Sequence, residues 1–152
     1  MDWELLKIWG DSMILISHRG NLDGKNIERE NSISYIEEAL SNGFDVEIDV
    51  WKVSDKYMLG HDEPQYSVNL DFLKNNKLWC HAKNIDALYG MKVNDVHCFW
   101  HQEDDVTLTS KGYLWTYPNK QLTPKSIAVL PEGVIEEEIA GFCSDFIGAG
   151  VV

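Results

Sequence analysis

Apolar and polar positions alternate in short bursts along the chain, and the period of the alternation changes from one burst to the next. In GFDVEIDVWKV, Val46, Ile48 and Val50 fall on one face of an extended strand, and Glu47, Asp49 and Trp51 fall on the other. LWCHAKN repeats the device, with Trp79, His81 and Lys83 on one face and Cys80 and Ala82 on the opposite one. Runs at 13–17, 44–51, 77–83, 96–101, 113–117, 126–130 and 141–147 read as strands, each bounded by turn or polar residues. Between the first two, SISYIEEALSNG moves to helical spacing. Ile33, Ile36, Ala39 and Leu40 recur on one side, Ser32 stands where a cap is needed, and Asn42-Gly43 ends the element. Shorter helices are expected at 69–75, 85–91 and 133–139.

Strands alternating with helices predict an α/β protein with a parallel sheet and crossover connections. A full (β/α) barrel of eight strands takes about 250 residues, whereas this chain has 152. Its later strand-like runs are joined by roughly ten residues, fewer than the dozen or more that a helical crossover needs. The expectation is a single domain over 1–152, a compact, trimmed TIM-like (β/α) barrel of about seven strands with helices missing from its second half. Edges left open by missing helices could be covered by a second subunit, so the pattern is compatible with a homodimer but does not fix the oligomeric state.

Charge narrows the partners. Asp and Glu number 25 against 13 Lys and Arg, and the net charge of −12 repels nucleic acid and anionic membrane surfaces. A small anion can approach only where a cation or an Arg/Lys pair reverses the field. The opening MDWELLKIWGDS has neither a basic start nor the apolar core of a leader, and no run approaches the length of a membrane span, so a cytoplasmic protein without an integral membrane segment is expected. Cys80, Cys98 and Cys143 are odd in number and far apart, without a C-x-x-C pair, and read as buried free thiols.

Several polar residues sit where chemistry could use them. A solvated surface strand would show the same alternation as Glu47 and Asp49. One strand step nevertheless places the two carboxylates some ~6–7 Å apart at Cα, close enough to share a divalent cation. Oxygen ligands of this kind suit Mg²⁺ or Ca²⁺. Lys83, on the face of His81, needs an anionic partner, either a carboxylate or a phosphate. A lone histidine is more often a satisfied structural residue than a catalyst, but His18 and His61 each close a strand-like run, the edge where β/α proteins build their sites. Two histidines and a metal form a set for phosphoryl chemistry, one taking a proton from the nucleophile and one giving a proton to the leaving alkoxide. His101 falls at a strand end and His97 deeper; Glu132 and Asp145 also stand at strand ends as supporting groups.

Taken together, SHRG, then ENS opening a helix, then GFDVEIDVW, then GHD resemble the glycerophosphodiester phosphodiesterase family, a branch of the phospholipase-C-like phosphodiesterases built on a TIM barrel. The match in order and spacing covers roughly residues 14–62. Beyond it, HAK resembles a strand carrying Glu-x-Lys, LWTYPN a Trp-Thr-x-Asn strand, and FCSDF a last strand ending in Thr-Asp. The resemblance implies His18 and His61 as the acid–base pair, Arg19 and Lys83 as phosphate ligands, and Glu47 and Asp49 as metal ligands. It implies that Asn31 supports the site near the first strand and that Trp115 forms an aromatic wall against the substrate alcohol. The implied mechanism has the hydroxyl beside the phosphoester attack phosphorus and expel the other alcohol, after which water opens the cyclic phosphate.

The chain departs from that pattern at His81, which stands where the family places a third carboxylate. A mixed nitrogen and oxygen set shifts the expected ion from Mg²⁺ or Ca²⁺ towards Mn²⁺ or Zn²⁺. The expected activity is metal-dependent hydrolysis of a small glycerophosphodiester-like molecule. The rival from another class is a catalytically silent module that binds phosphate or a headgroup at the same mouth. Two histidines argue against it, because binding alone needs the cation, Arg19 and Lys83 but no proton shuttle.

Overall fold

Val46, Ile48 and Val50 are all fully buried, and the strand that carries them is the hub of the molecule. The computed structural model describes residues 13–150. Its elements are β1 (Ile14–His18), α1 (Ile33–Ser41), β2 (Asp45–Val53), β3 (Lys56–Leu59), β4 (Tyr66–Val68), α2 (Leu70–Leu73), β5 (Leu78–Ala82), α3 (Ile85–Val93), β6 (Cys98–Phe99), β7 (Val106–Leu108), β8 (Leu114–Thr116), β9 (Ser126–Val129) and β10 (Gly141–Ser144), followed by a 3₁₀ turn at Ile147–Ala149. The apolar face of β2 packs with Ile36 and Ala39 of α1, Leu73 of α2 and Ala87 and Met91 of α3 in one core. Local chemistry sets the helix starts: Asn69 Oδ1 accepts from the Phe72 amide and Asn84 Oδ1 from the Ala87 amide.

The trimmed (β/α) barrel is not what forms. All ten strands belong to one sheet, ordered β4-β3-β2-β1-β10-β9-β8-β7, with β5 joined to β2 and β6 to β5. The helices among the described residues are short, nine, four and nine residues for α1, α2 and α3. Two features overturn the barrel. First, β2 runs on into an antiparallel hairpin with β3, turning through Ser54 and Asp55, which both have positive φ (48° and 65°), and β4 extends it antiparallel. Second, the ladder does not close. β6 pairs with β5 alone and β8 with β9 and β7, so no strand pairing joins β6 to β8. Beside β6 lies instead the arm carrying β7: the Ser110 amide donates to the Cys98 carbonyl at 2.8 Å and Thr107 Oγ1 to the Trp100 carbonyl at 3.3 Å.

The sheet bends enough for Phe99 of β6 to meet Trp115 of β8, ring centroids 4.8 Å apart. These two, with Ile16, Trp79, Ile127, Val129 and Cys143, form a second core on the face opposite the helices. No helix forms at 133–139. Pro131 and Gly133 (φ 84°) keep the segment irregular, while Ile135 and Ile139 still bury against Phe142 and Ile147. Cys80, Cys98 and Cys143 are buried free thiols.

Candidate active site

Parallel pairing brings the polar strand ends to one place. His18 is the ladder partner of Glu47, and Asp49 is the partner of His81, so side chains far apart in sequence stand side by side on one face. Past the end of β1 the chain turns through Arg19 (φ 61°) and Gly20 (φ 97°), and Asn31 is also left-handed (φ 66°). These conformations are held in place. The Arg19 amide donates to the Glu47 carbonyl at 2.9 Å, and the Asn31 amide donates to the Arg19 carbonyl at 3.0 Å. A cavity of about 260 Å³ opens over these ends, lined by His18, Arg19, Glu47, His61, His81 and Lys83, with Trp100, His101, Gln102, Trp115, Tyr117 and Val129 completing its wall.

At the base of the cavity Glu47, Asp49 and His81 each offer one ligand atom, all within 4.8 Å of one another. Glu47 Oε1 and Asp49 Oδ1 are buried and make no hydrogen bond. The other Asp49 oxygen, Oδ2, accepts from Asn31 Nδ2 at 2.9 Å and faces Arg19 Nε at 3.3 Å. His81 Nε2 lies 3.2 Å from the His101 carbonyl. A carbonyl only accepts, so Nε2 carries the proton, and in the neutral ring Nδ1 turns a lone pair towards Asp49 Oδ1, 3.3 Å away. Two buried carboxylate oxygens and a ring lone pair converging without a donor between them form the donor set of a divalent cation, with the carbonyl behind His81 fixing its tautomer. Burial raises the Glu47 carboxyl to about 7, and the adjacent Asp49 charge adds to this. Burial would raise Asp49 as well, but the Arg19 charge and the Asn31 hydrogen bond act against it, and Asp49 is held low.

The histidines differ in support. His18 Nδ1 donates to Asp145 Oδ1 at 2.7 Å, leaving Nε2 for the cavity. Asn21 Nδ2 donates both to the same Asp145 oxygen (2.9 Å) and to Glu30 (2.8 Å), and Glu30 in turn accepts from Arg19 at 3.3 Å. Burial lowers the His18 pKa, but the Asp145 hydrogen bond and the Glu47 charge more than offset it, so the net shift is upward. His61 sits on the loop that leaves β3, 43% exposed, with Nδ1 donating to Asp62 Oδ1 at 2.8 Å. Gly60 places it there. With φ 154°, an added Cβ would lie 1.9 Å from the Glu63 carbonyl oxygen.

Of the sequence-predicted residues, His18, Arg19, Glu47, His61, His81, Lys83 and Trp115 line this cavity, and Asp49 and Asn31 lie behind it. Asn31 does not line this cavity but braces Asp49 from behind, donating to its carboxylate and accepting from its amide at 2.9 Å. Trp115 lines the cavity although it is only 2% exposed. The aromatic surface at the wall comes also from Trp100 and Tyr117, which stand in the strand-like runs at 96–101 and 113–117 but are not among the predicted site residues. Asn21, fully buried among Asp145, Glu30 and Tyr35, was equally hidden beside the conspicuous His18-Arg19. His97 lies deep, bonded to Thr109 at 2.8 Å and packed on Trp79 at 4.3 Å.

Comparison with family models, curated proteins and solved structures returns no match. No helix among the described residues is long and apolar enough to cross a membrane. The N-terminal segment read for the absence of a leader lies outside the described residues.

Proposed function

We propose that this chain is a divalent-metal-dependent phosphodiester hydrolase acting on small glycerophosphodiester-like molecules. The observation that carries the reading is one cavity lined by His18, His61, Arg19 and Lys83 together with Glu47 and His81, whose ligand atoms lie within 4.8 Å of the unpartnered Asp49 Oδ1. Arg19 and Lys83 bind the phosphoryl oxygens by charge-assisted hydrogen bonds. His18, its Nδ1 proton held by Asp145, takes through Nε2 the proton of the hydroxyl adjacent to the ester. That oxygen bonds to phosphorus, the bond to the other alcohol breaks, and His61 protonates the departing oxygen. In the second step the roles reverse, and water opens the cyclic phosphate. A divalent cation held by Glu47, Asp49 and His81 supplies charge neutralisation for the phosphoryl group in a chain of net charge −12.

The test is hydrolysis of a glycerophosphodiester followed by phosphorus NMR, before and after EDTA and with Mn²⁺, Zn²⁺, Mg²⁺ or Ca²⁺ returned. A cyclic phosphate intermediate, loss of activity on chelation, and a fall of at least about a hundredfold in kcat for His18→Ala and for His61→Ala are expected. Full activity in excess EDTA would remove the metal from the reading. Phosphate binding without turnover of any diester would leave the silent binding module as the better account.

A further inference from the structure

The metal- and phosphate-binding groups named above crowd one flank of the cavity, on or just beyond β1, β2 and β5. Tyr117 follows β8 on another flank, separated from β1 in the sheet by β9 and β10. Its Oη lies 2.7 Å from His101 Nε2, and the two rings meet edge to face at 5.0 Å. His101 is fixed in turn by His81, whose ring stacks on it at 4.5 Å and whose Nε2 donates to its carbonyl. His101 Nδ1 is buried without a partner. A neutral imidazole has one N–H, and an orphaned buried N–H is rarer than an orphaned acceptor. The proton therefore belongs on Nε2, which donates to Tyr117 Oη. The phenolic hydrogen is then free to donate into the cavity that Tyr117 lines.

The cations on the other flank claim the phosphoryl oxygens, so what Tyr117 reaches is the ester beyond phosphorus. We infer that Tyr117, aimed by His101, donates a hydrogen bond to a hydroxyl oxygen of the alcohol esterified to phosphate, and so selects phosphate esters of polyols over simple alkyl phosphates. This inference rests on the phosphodiesterase reading. It makes Tyr117 a substrate-contacting residue and His101 a positioning one.

The test is calorimetric titration of the full chain, in excess Mn²⁺, with glycerol 3-phosphate and with ethyl phosphate, which lacks the free hydroxyls. The wild type should prefer glycerol 3-phosphate, and Tyr117→Phe should shrink that preference by about three- to tenfold, the range of one hydrogen bond between neutral groups. His101→Phe should shrink it as much, whereas His101→Gln, which keeps an N–H donor, should retain more of it. Both ligands are compared on the same variant, so general damage would weaken them together. Such parallel loss, or a preference that survives Tyr117→Phe, overturns the assignment while leaving the phosphate site standing. If the wild type binds neither ligand, the phosphodiesterase reading falls first and this inference with it.

Discussion

Asp145 is a single buried carboxylate on which the state of His18 turns. Asp145→Ala removes the acceptor of the His18 Nδ1 proton, so nothing holds the tautomer that presents Nε2 as the base or stabilises the protonated ring. A fall in kcat of at least about a hundredfold is expected. The acid limb of the kcat profile should also move to lower pH, because burial now acts on His18 without the hydrogen bond that outweighs it. Stability carries its own pH signal. Burial lowers His97 to about 4, with Lys111 adding to the effect, against an unfolded value of about 6.5. Above the unfolded value the ring is neutral in both states and nothing is lost. Between the two values only the unfolded chain takes the proton, so stability falls as pH drops. A loss on the order of 1 kcal/mol between pH 7 and 5.5 follows from this one group. Urea midpoints at the two pH values should differ by less in His97→Gln than in the wild type; an unchanged difference would place the acid sensitivity elsewhere. At this scale much of the site was legible in the sequence, because His18, Arg19, Glu47, Asp49, His61, His81 and Lys83 close or alternate along apolar runs. Asn21 was not, because a polar residue in a loop leaves no period to read; Trp100 and Tyr117 fall inside the runs at 96–101 and 113–117, where an aromatic residue reads as packing rather than as site.

Elements carry the next layer, and here the loop after β3 is decisive. His61 reaches the cavity from an irregular segment, and what aims it is the tight passage at Gly60, whose carbonyl also accepts from Trp51 Nε1 at 2.6 Å. Gly60→Ala forces a Cβ onto the Glu63 carbonyl oxygen in a region of φ that favours glycine. The loop must shift, and His61 with it. The expected result is a loss of turnover approaching that of His61→Ala with phosphate binding largely kept, read by steady-state kinetics and calorimetry on the same preparation. Wild-type turnover would show that the loop tolerates the change and that Gly60 does not set the histidine. The sequence placed β1, α1, β2, β5 and α3 to within a few residues, since their apolar spacings are long enough to define a period. It missed the β2–β3 hairpin because Ser54-Asp55 lacks the Asn-Gly or Asp-Gly signature of a two-residue turn. It misread 133–139 because Ile135 and Ile139 have helical spacing although Pro131 and Gly133 break the entry.

The whole molecule joins a single sheet to a strongly acidic charge, and neither could be weighed from local patterns. Closure of a sheet depends on which edges meet. With β6 reduced to two residues and the β7 arm laid against it, the ladder ends where a barrel would have continued. The metal- and phosphate-binding residues survive this change of architecture because Arg19, Glu47, Asp49, His81 and Lys83 need only β1, β2 and β5 in parallel register. Those three strands also bury two carboxylates against each other in a chain of net charge −12, so the ion-free fold holds like charges together without a donor between them. Anything that binds this arrangement and not the unfolded chain adds stability by mass action, roughly 2.7 kcal/mol at a hundred times its dissociation constant. For a chain of this size, that corresponds to an increase in Tm of about 5–10 °C. The wild type should therefore melt several degrees higher with saturating Mn²⁺ than in EDTA, with Ca²⁺ or Mg²⁺ giving less because one donor is the His81 ring. Glu47→Gln separates the two halves of the argument. It removes one of the opposed charges, so in EDTA the variant should be at least as stable as the wild type, and it removes a ligand, so the Mn²⁺ increment should collapse. A variant less stable in EDTA would mean that Glu47 is held by partners within the fold. An undiminished Mn²⁺ increment would mean that the ion binds at another place.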